Sequence, residues 1–179
     1  LSTVMAVLYL IFNEGYLATS GQAPIRAELT GEAIRLARLL RLLLPDDTEV
    51  AGLLALMLLS ESRHRSRVAG GELVPLQEQD RAGWDRALIA EGHALIRECL
   101  ARNRPGPYQI MAAINAVHTD APAAGDTDWR QIVTLYAQLY AFTPSPIVAL
   151  NQAVAIAELD GPAVALAEVD RLPGLQPSL

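Results

Sequence analysis

The chain has no lysine, a single cysteine and few aromatic residues, and each shortage excludes something. All 14 basic side chains are arginine, set against 20 acids for a formal net charge of −6. Nonspecific nucleic-acid affinity comes from clustered basic residues that displace counterions from phosphates. An acidic chain of this kind is not expected to wrap a phosphate backbone by itself. The lone Cys99 excludes an internal disulfide, and no CxxC or His/Cys cluster occurs, so a reducing cytoplasmic setting is expected. The longest uninterrupted apolar run, 4–12, falls far short of the roughly 20 residues that span a bilayer, so no membrane partner is expected. The chain opens directly on this run, without an initiator methionine, a basic leader or a cleavage site. That opening predicts a piece of a longer protein.

The familiar chemistry-bearing patterns are missing too. There is no glycine-rich phosphate loop, nucleophile elbow, HExxH helix or EF-hand loop. His64, His93 and His118 stand 29 and 25 residues apart with no second ligand at helical spacing, so neither a metal nor a cofactor is expected. Cys99 lies six residues after His93, about a third of a turn off its face, and reads as a small core residue. No enzyme is expected.

What the chain does have is apolar residues, 51% of the total, recurring at three-and-four spacing between Pro, Gly and polar breaks. This predicts a single all-α domain over 1–179: stacked antiparallel helix hairpins, about eight helices in all. Helices are expected over about 2–18, 24–44, 53–68, 81–101, 108–118, 126–142, 146–159 and 162–172. Thr19, Ser20 and Gly21 break the first helix, and Pro24 opens the second. Its stripe runs through Ile25, Leu29, Ala33, Leu36, Leu40 and Leu43. Asp46 and Glu49 resemble a capping box for the third helix. The stretch from Gly70 to Asp80 is irregular, with a short hairpin expected around Glu72, Leu73 and Val74. Asp126 is the expected cap of the sixth helix, and Ser145-Pro146 starts the seventh. In 123–179 the spacing of Trp129, Ile132, Val133 and Tyr136, then Ala149, Ala153 and Ile156, is tetratricopeptide-like, with the last unit truncated. Such an unpaired unit should expose apolar surface.

The candidate functional residues are polar groups set among these apolar helices, because a buried polar group is costly without a partner. Asn13 and Glu14 follow the apolar run, with Tyr9 and Tyr16 on either side. Glu61, Arg63, Arg65 and Arg67 crowd the end of the third helix, and Asn115 and His118 share a face of the fifth. One reading has the arginines complement the helix dipole and pair with Glu61 or Glu14. The other makes Arg63, Arg65 and Arg67, with Asn13, Asn115 and His118, an anion-binding or partner-binding pocket.

The order of several strings resembles a known family. Tyr9-Leu10-Ile11-Phe12-Asn13-Glu14-Gly15-Tyr16, then Glu28-Leu29, Glu32-Ala33-Ile34-Arg35-Leu36, Gln79-Asp80-Arg81, Trp84-Asp85 and Gly106-Pro107-Tyr108-Gln109 form the first part. Ile114-Asn115-Ala116-Val117-His118, Asp128-Trp129, Ser145-Pro146 and Asn151-Gln152-Ala153-Val154-Ala155 complete it. Together they resemble the C-terminal extension of extracytoplasmic-function sigma factors of the bacterial sigma-70 family, with 1–122 as the family-specific helical part. The resemblance implies a regulatory domain that controls transcription initiation by contacting the sigma-factor N-terminal domains of the same parent chain and core RNA polymerase. DNA would be reached only through the parent protein. A small-molecule-sensing module, or a further protein partner, is the alternative on the same polar residues. A hydrolase using Glu14 or Glu61 as general base would need one of these carboxylates raised in pKa by burial.

Overall fold

The computed structural model describes residues 1–17, 23–69 and 72–171, with only the backbone given for 17 and 23–27. Among these the chain is all-α, as the spacing predicts. The helices are α1 (Ser2–Leu17), α2 (Ala23–Leu43), α3 (Thr48–Glu61), α4 (Arg86–Arg102), α5 (Pro107–Asp120), α6 (Trp129–Phe142), α7 (Pro146–Asp160) and α8 (Pro162–Val169). The expected hairpin is present as β1 (Val68–Ala69) and β2 (Glu72–Leu73), antiparallel with Val68 opposite Leu73. The expected breaks at Thr19, Ser20 and Gly21 and at Gly70, and the expected end of the last helix near 172, lie outside the described residues.

The architecture is organised around α3. Every residue from Val50 to Ser60 is buried, as befits a helix apolar all round. On one side Met5, Leu8 and Phe12 of α1 and Ala33, Ile34 and Ala37 of α2 pack against Val50, Leu53, Leu54, Met57 and Leu58. On the other, Ala55, Leu56 and Leu59 meet Trp84, Ile89 and Ile96 near and on α4 and Ala112 on α5. A third cluster passes the core outward, from Ile110 and Ile114 of α5 to Ile132 and Leu139 of α6 and Ala155 of α7. Ion pairs clasp α2 to α4 over the outside: Arg38 meets Glu91 at 2.6 Å, and Arg41 contacts Glu98.

Capping explains where the boundaries differ from expectation. Asp47, not Asp46, caps α3 by accepting from the amides of Glu49 and Val50, both at 3.0 Å, so the helix starts at Thr48 and not at 53. Glu49 does not complete a capping box. Its carboxylate reaches across to α5 and accepts from the amides of Tyr108 (3.1 Å) and Gln109 (3.2 Å), filling the vacant donors of that helix's first turn. Asp85 caps α4 in the same way as Asp47, after a single 3-10 turn at Arg81–Gly83. The helix expected from 81 therefore begins at Arg86. Asp126 belongs to a 3-10 turn, and the true cap of α6 is Asp128, which accepts from Gln131. The third helix stops at Glu61, and His64–Ser66 forms a separate 3-10 turn in place of the expected run to 68.

Leu43 was expected inside and is 77% exposed, on the last turn of α2. Ala149 and Ala153 are buried as their repeat spacing predicts, while Ile147, Leu150, Val154, Val164 and Leu166 leave an apolar outer surface on α7 and α8.

The α3–α5 crossing is close enough to demand glycine. A Cβ on Gly52 would lie 2.7 Å from the Gln109 amide nitrogen, which is backbone and cannot swing aside. Gly31 on α2 has nothing within 4 Å of such an atom. Two opposite outcomes follow for the same chemical change. Gly52→Ala should destabilise by about 1–3 kcal/mol through overpacking, whereas Gly31→Ala should stabilise by roughly 0.5–1 kcal/mol through helix propensity. Urea denaturation of both variants measures this.

Candidate functional site

The end of α3, the start of the hairpin and the C-terminal half of α5 bring three guanidinium groups together. Arg63 lies two residues past the end of α3 at Glu61. The residue as a whole is half-buried, but its guanidinium is enclosed and its Nε has no hydrogen-bond partner. Its Nη2 donates to Asn115 Oδ1, and Asn115 Nδ2 donates back to Met111 O at 3.1 Å, fixing the amide's orientation. Arg67 lies over the Tyr16 ring at 4.2 Å and donates to the Tyr16 carbonyl. Arg81 stacks on Trp84 at 4.6 Å and gives Nη1 to the carbonyls of His118 (2.5 Å) and Ala121 (2.9 Å).

None of the three makes an ion pair among the described residues, and every Asp and Glu of the chain is among them. Desolvation lowers the pKa of Arg63, Tyr16 opposes that, and the neighbouring charges of Arg67 and Arg81 lower it further. Burying an unpaired charge costs several kcal/mol unless something compensates it. Arg38 and Arg41 of α2 and Arg102 of α4 face no such problem, being held by Glu91, Glu98 and Asp46.

His118 is the proton-exchanging group at this locus. Burial, then Arg63 and Arg81, push its pKa down to about 4, so it is a neutral imidazole at pH 7. Its ring meets Trp129 edge-on at 5.3 Å. Arg81, His118 and Trp129 line a pocket of about 230 Å³, closed further by Leu76, Tyr136 and Val154.

Arg63, Asn115 and His118 lie together, Arg63 bonded to Asn115 and acting on His118, while the rest of the candidate set is divided. Asn13 shares a side-chain hydrogen bond with Tyr9, whose pKa is raised mainly by burial and whose ring packs on Tyr108 at 5.7 Å, away from the arginines. Glu14 and Arg65 are exposed and make no hydrogen bond or ion pair among the described residues. The pairing of the arginines with Glu61 or Glu14 does not occur. Glu61 instead bonds Thr30 and stands 4.0 Å from His64 Nδ1. Burial raises the Glu61 pKa, opposed by His64 and Thr30. Glu61 thus has the burial-raised pKa that the hydrolase alternative asks of one carboxylate, whereas Glu14 is exposed. Cys99 is a core residue as expected, its thiol pushed up to about 11 by burial and by Glu98 and Glu49. No group of His, Cys, Asp and Glu that could hold a metal occurs among the described residues.

Sequence reasoning passed over Arg81, Trp84 and Trp129 as site residues. Arg67 sits four residues after Arg63, a spacing that marks a shared face on a helix; the 3-10 turn here obscures it. Arg81 belongs to the Gln79-Asp80-Arg81 string of the resemblance, but nothing in that string marked it as a site residue.

The His118 environment has a measurable consequence. Its folded pKa is depressed below the ordinary 6.5, so between pH 6.5 and about 4 the unfolded chain takes up a proton that the folded chain refuses. Stability contributed by this group is complete above pH 6.5 and lost as pH falls toward 4. We expect His118→Gln to lose about 2–3 kcal/mol less than the parent sequence between pH 7 and pH 4. Urea midpoints at both pH values for both proteins give the comparison; equal pH slopes would contradict it.

Over 173 residues, 96% of its length, the chain is 48% identical to an uncharacterized protein of Rhizobium meliloti (strain 1021). It spans 41% of the length of that relative. No solved structure matches. Residues 1–100, which hold α1, α2, α3 and the arginine-rich turn, match the model of a family described as a family of unknown function, DUF6596. The chain belongs to that family.

Proposed function

We propose that this chain is a non-enzymatic regulatory domain of an RNA polymerase sigma factor, acting in the bacterial cytoplasm. It modulates transcription initiation by docking on the sigma domains of its parent chain or on core polymerase. The motif order given above supports the sigma-factor part of this reading. The observation that carries the docking part is an uncovered apolar stripe. Leu1, Val4, Val7 and Leu10 wind along α1 at three-residue spacing and are about half exposed or more, Leu10 reaching 66%. Leu1 borders the same surface depression as Asp46 and Asp47, which places this end of α1 beside the end of α2, where Leu42 and Leu43 are 76% and 77% exposed. Large exposed apolar surface of this kind marks contact sites. The mechanism is helix-face docking: no helix of the described residues is long and apolar enough to cross a membrane, so the stripe is not explained as a bilayer span.

Two measurements test the reading. Deleting this segment from the parent protein should change transcription from its cognate promoter; unchanged transcription would count decisively against a regulatory role. Val7→Asp and Leu10→Asp should leave stability within about 0.5 kcal/mol, since both side chains already face water, yet weaken co-purification of the domain with the sigma domains or polymerase.

A further inference from the structure

The pocket bounded by Arg81, His118 and Trp129 poses a question that the docking surface does not answer. Arg81 lines the pocket, and Arg63 acts on His118 from behind without an ion pair, whereas Arg38, Arg41 and Arg102 are each held by an acid. Arg63, behind His118, keeps an enclosed and idle Nε–H. The rest of the lining is mainly apolar and aromatic, with Trp129, Tyr136, Leu76 and Val154, and includes the polar Thr127 and Asn151. Two acids lie nearby: Glu158 of α7, whose Oε1 accepts from Gln77 Nε2 at 2.6 Å, and Asp126, which accepts from the Ala123 amide at 3.2 Å and acts on Arg81 through space without an ion pair. Pockets that are mostly apolar with a few convergent polar groups are the usual form of small-ligand sites.

We propose that this pocket binds a small organic acid with an apolar or aromatic body, its oxyanion facing Arg81 and His118 and its body lying against Trp129 and Tyr136. Arg63 is the positioning residue: it does not line the pocket, but its uncompensated charge favours an anion at the His118 wall. The ligand supplies the negative charge that no carboxylate of the chain brings to Arg63. A neutral imidazole at His118 donates to the oxyanion or becomes protonated beside it, so binding raises the His118 pKa. The inference is independent of the transcription reading, since it concerns a ligand and not a protein contact.

The chain's two tryptophans, Trp84 under Arg81 and Trp129 against His118, make intrinsic fluorescence a local reporter. The chain is titrated with benzoate, phenyl phosphate, inorganic phosphate and the neutral benzamide. Saturable change with benzoate or phenyl phosphate supports the site, the tighter of the two identifying the acid group. Benzamide should bind about tenfold more weakly or worse, the loss expected when a charge-assisted hydrogen bond is removed. Arg81→Gln and Arg63→Met should each weaken the acid by about tenfold. Arg63→Met should also raise Tm, because it removes a buried charge that the empty protein leaves unpaired. In benzoate-saturated protein, the His118 ring proton should titrate above its value of about 4 in the free chain. No saturation by either aromatic acid, equal binding of benzamide, inorganic phosphate binding as tightly as phenyl phosphate, or an unmoved His118 titration overturns the proposal. So does unchanged affinity in folded Arg63→Met, and if that variant does not fold, unchanged affinity in Arg81→Gln decides the matter.

Discussion

The reach of Glu49 from the first turn of α3 to the first turn of α5 is the contact on which the arrangement depends. A carboxylate placed at the positive end of its own helix is diverted to the positive end of another, accepting from Tyr108 and Gln109. Gln109 answers by donating its side-chain amide to Glu49 and to Thr48. The bond network holds the two helices at a separation that only Gly52 permits. Because α5 carries Ile110 and Ile114 into the third core cluster, α6 and α7 take their position from this junction. The pocket beside His118, at the far end of α5, inherits its shape from the same helix.

Much of this was legible in the sequence, and the failures have a common cause. The class, the number of helices and most breaks follow from spacing and from Pro and Gly, because burial of one face imposes a period on the chain. The caps were harder. Asp46 and Asp47 are adjacent and both are good caps, and only the geometry of the turn selects Asp47. Glu49 looked like a local partner because the capping-box pattern contains no information about a helix some 60 residues onward. Leu43 fits the periodic stripe of α2 perfectly, yet a stripe does not say which of its turns stay covered.

The site divides along the same line. Asn115 and His118 were readable as a pair because three residues separate them on one helix. Their meeting with Arg63 depends on the α3–α5 crossing, and the approach of Arg81 depends on how the segment after the hairpin folds back under α5. Polar residues on α1 that looked equivalent in sequence, Asn13 and Glu14, went elsewhere because α1 contributes Tyr9 to the α5 start and Tyr16 to the arginines, seven residues apart on the helix. Residue identity marks where polarity is unusual; only the crossing of helices decides which unusual residues share a locus.

With lysine absent, the cations around His118 are all guanidiniums, which hold their charge across the whole biological pH range. The arginines' share of the electric field at that wall is therefore constant. A lysine cluster could discharge, be acetylated or lose a proton to a buried neighbour; this one has no such freedom. His118 is the one variable element of the Arg63, Arg81 and His118 group, and its state reports whatever else enters the field. The locus thus has the physical makeup of an electrometer: a fixed bias set by arginines, with a single imidazole as the moving needle.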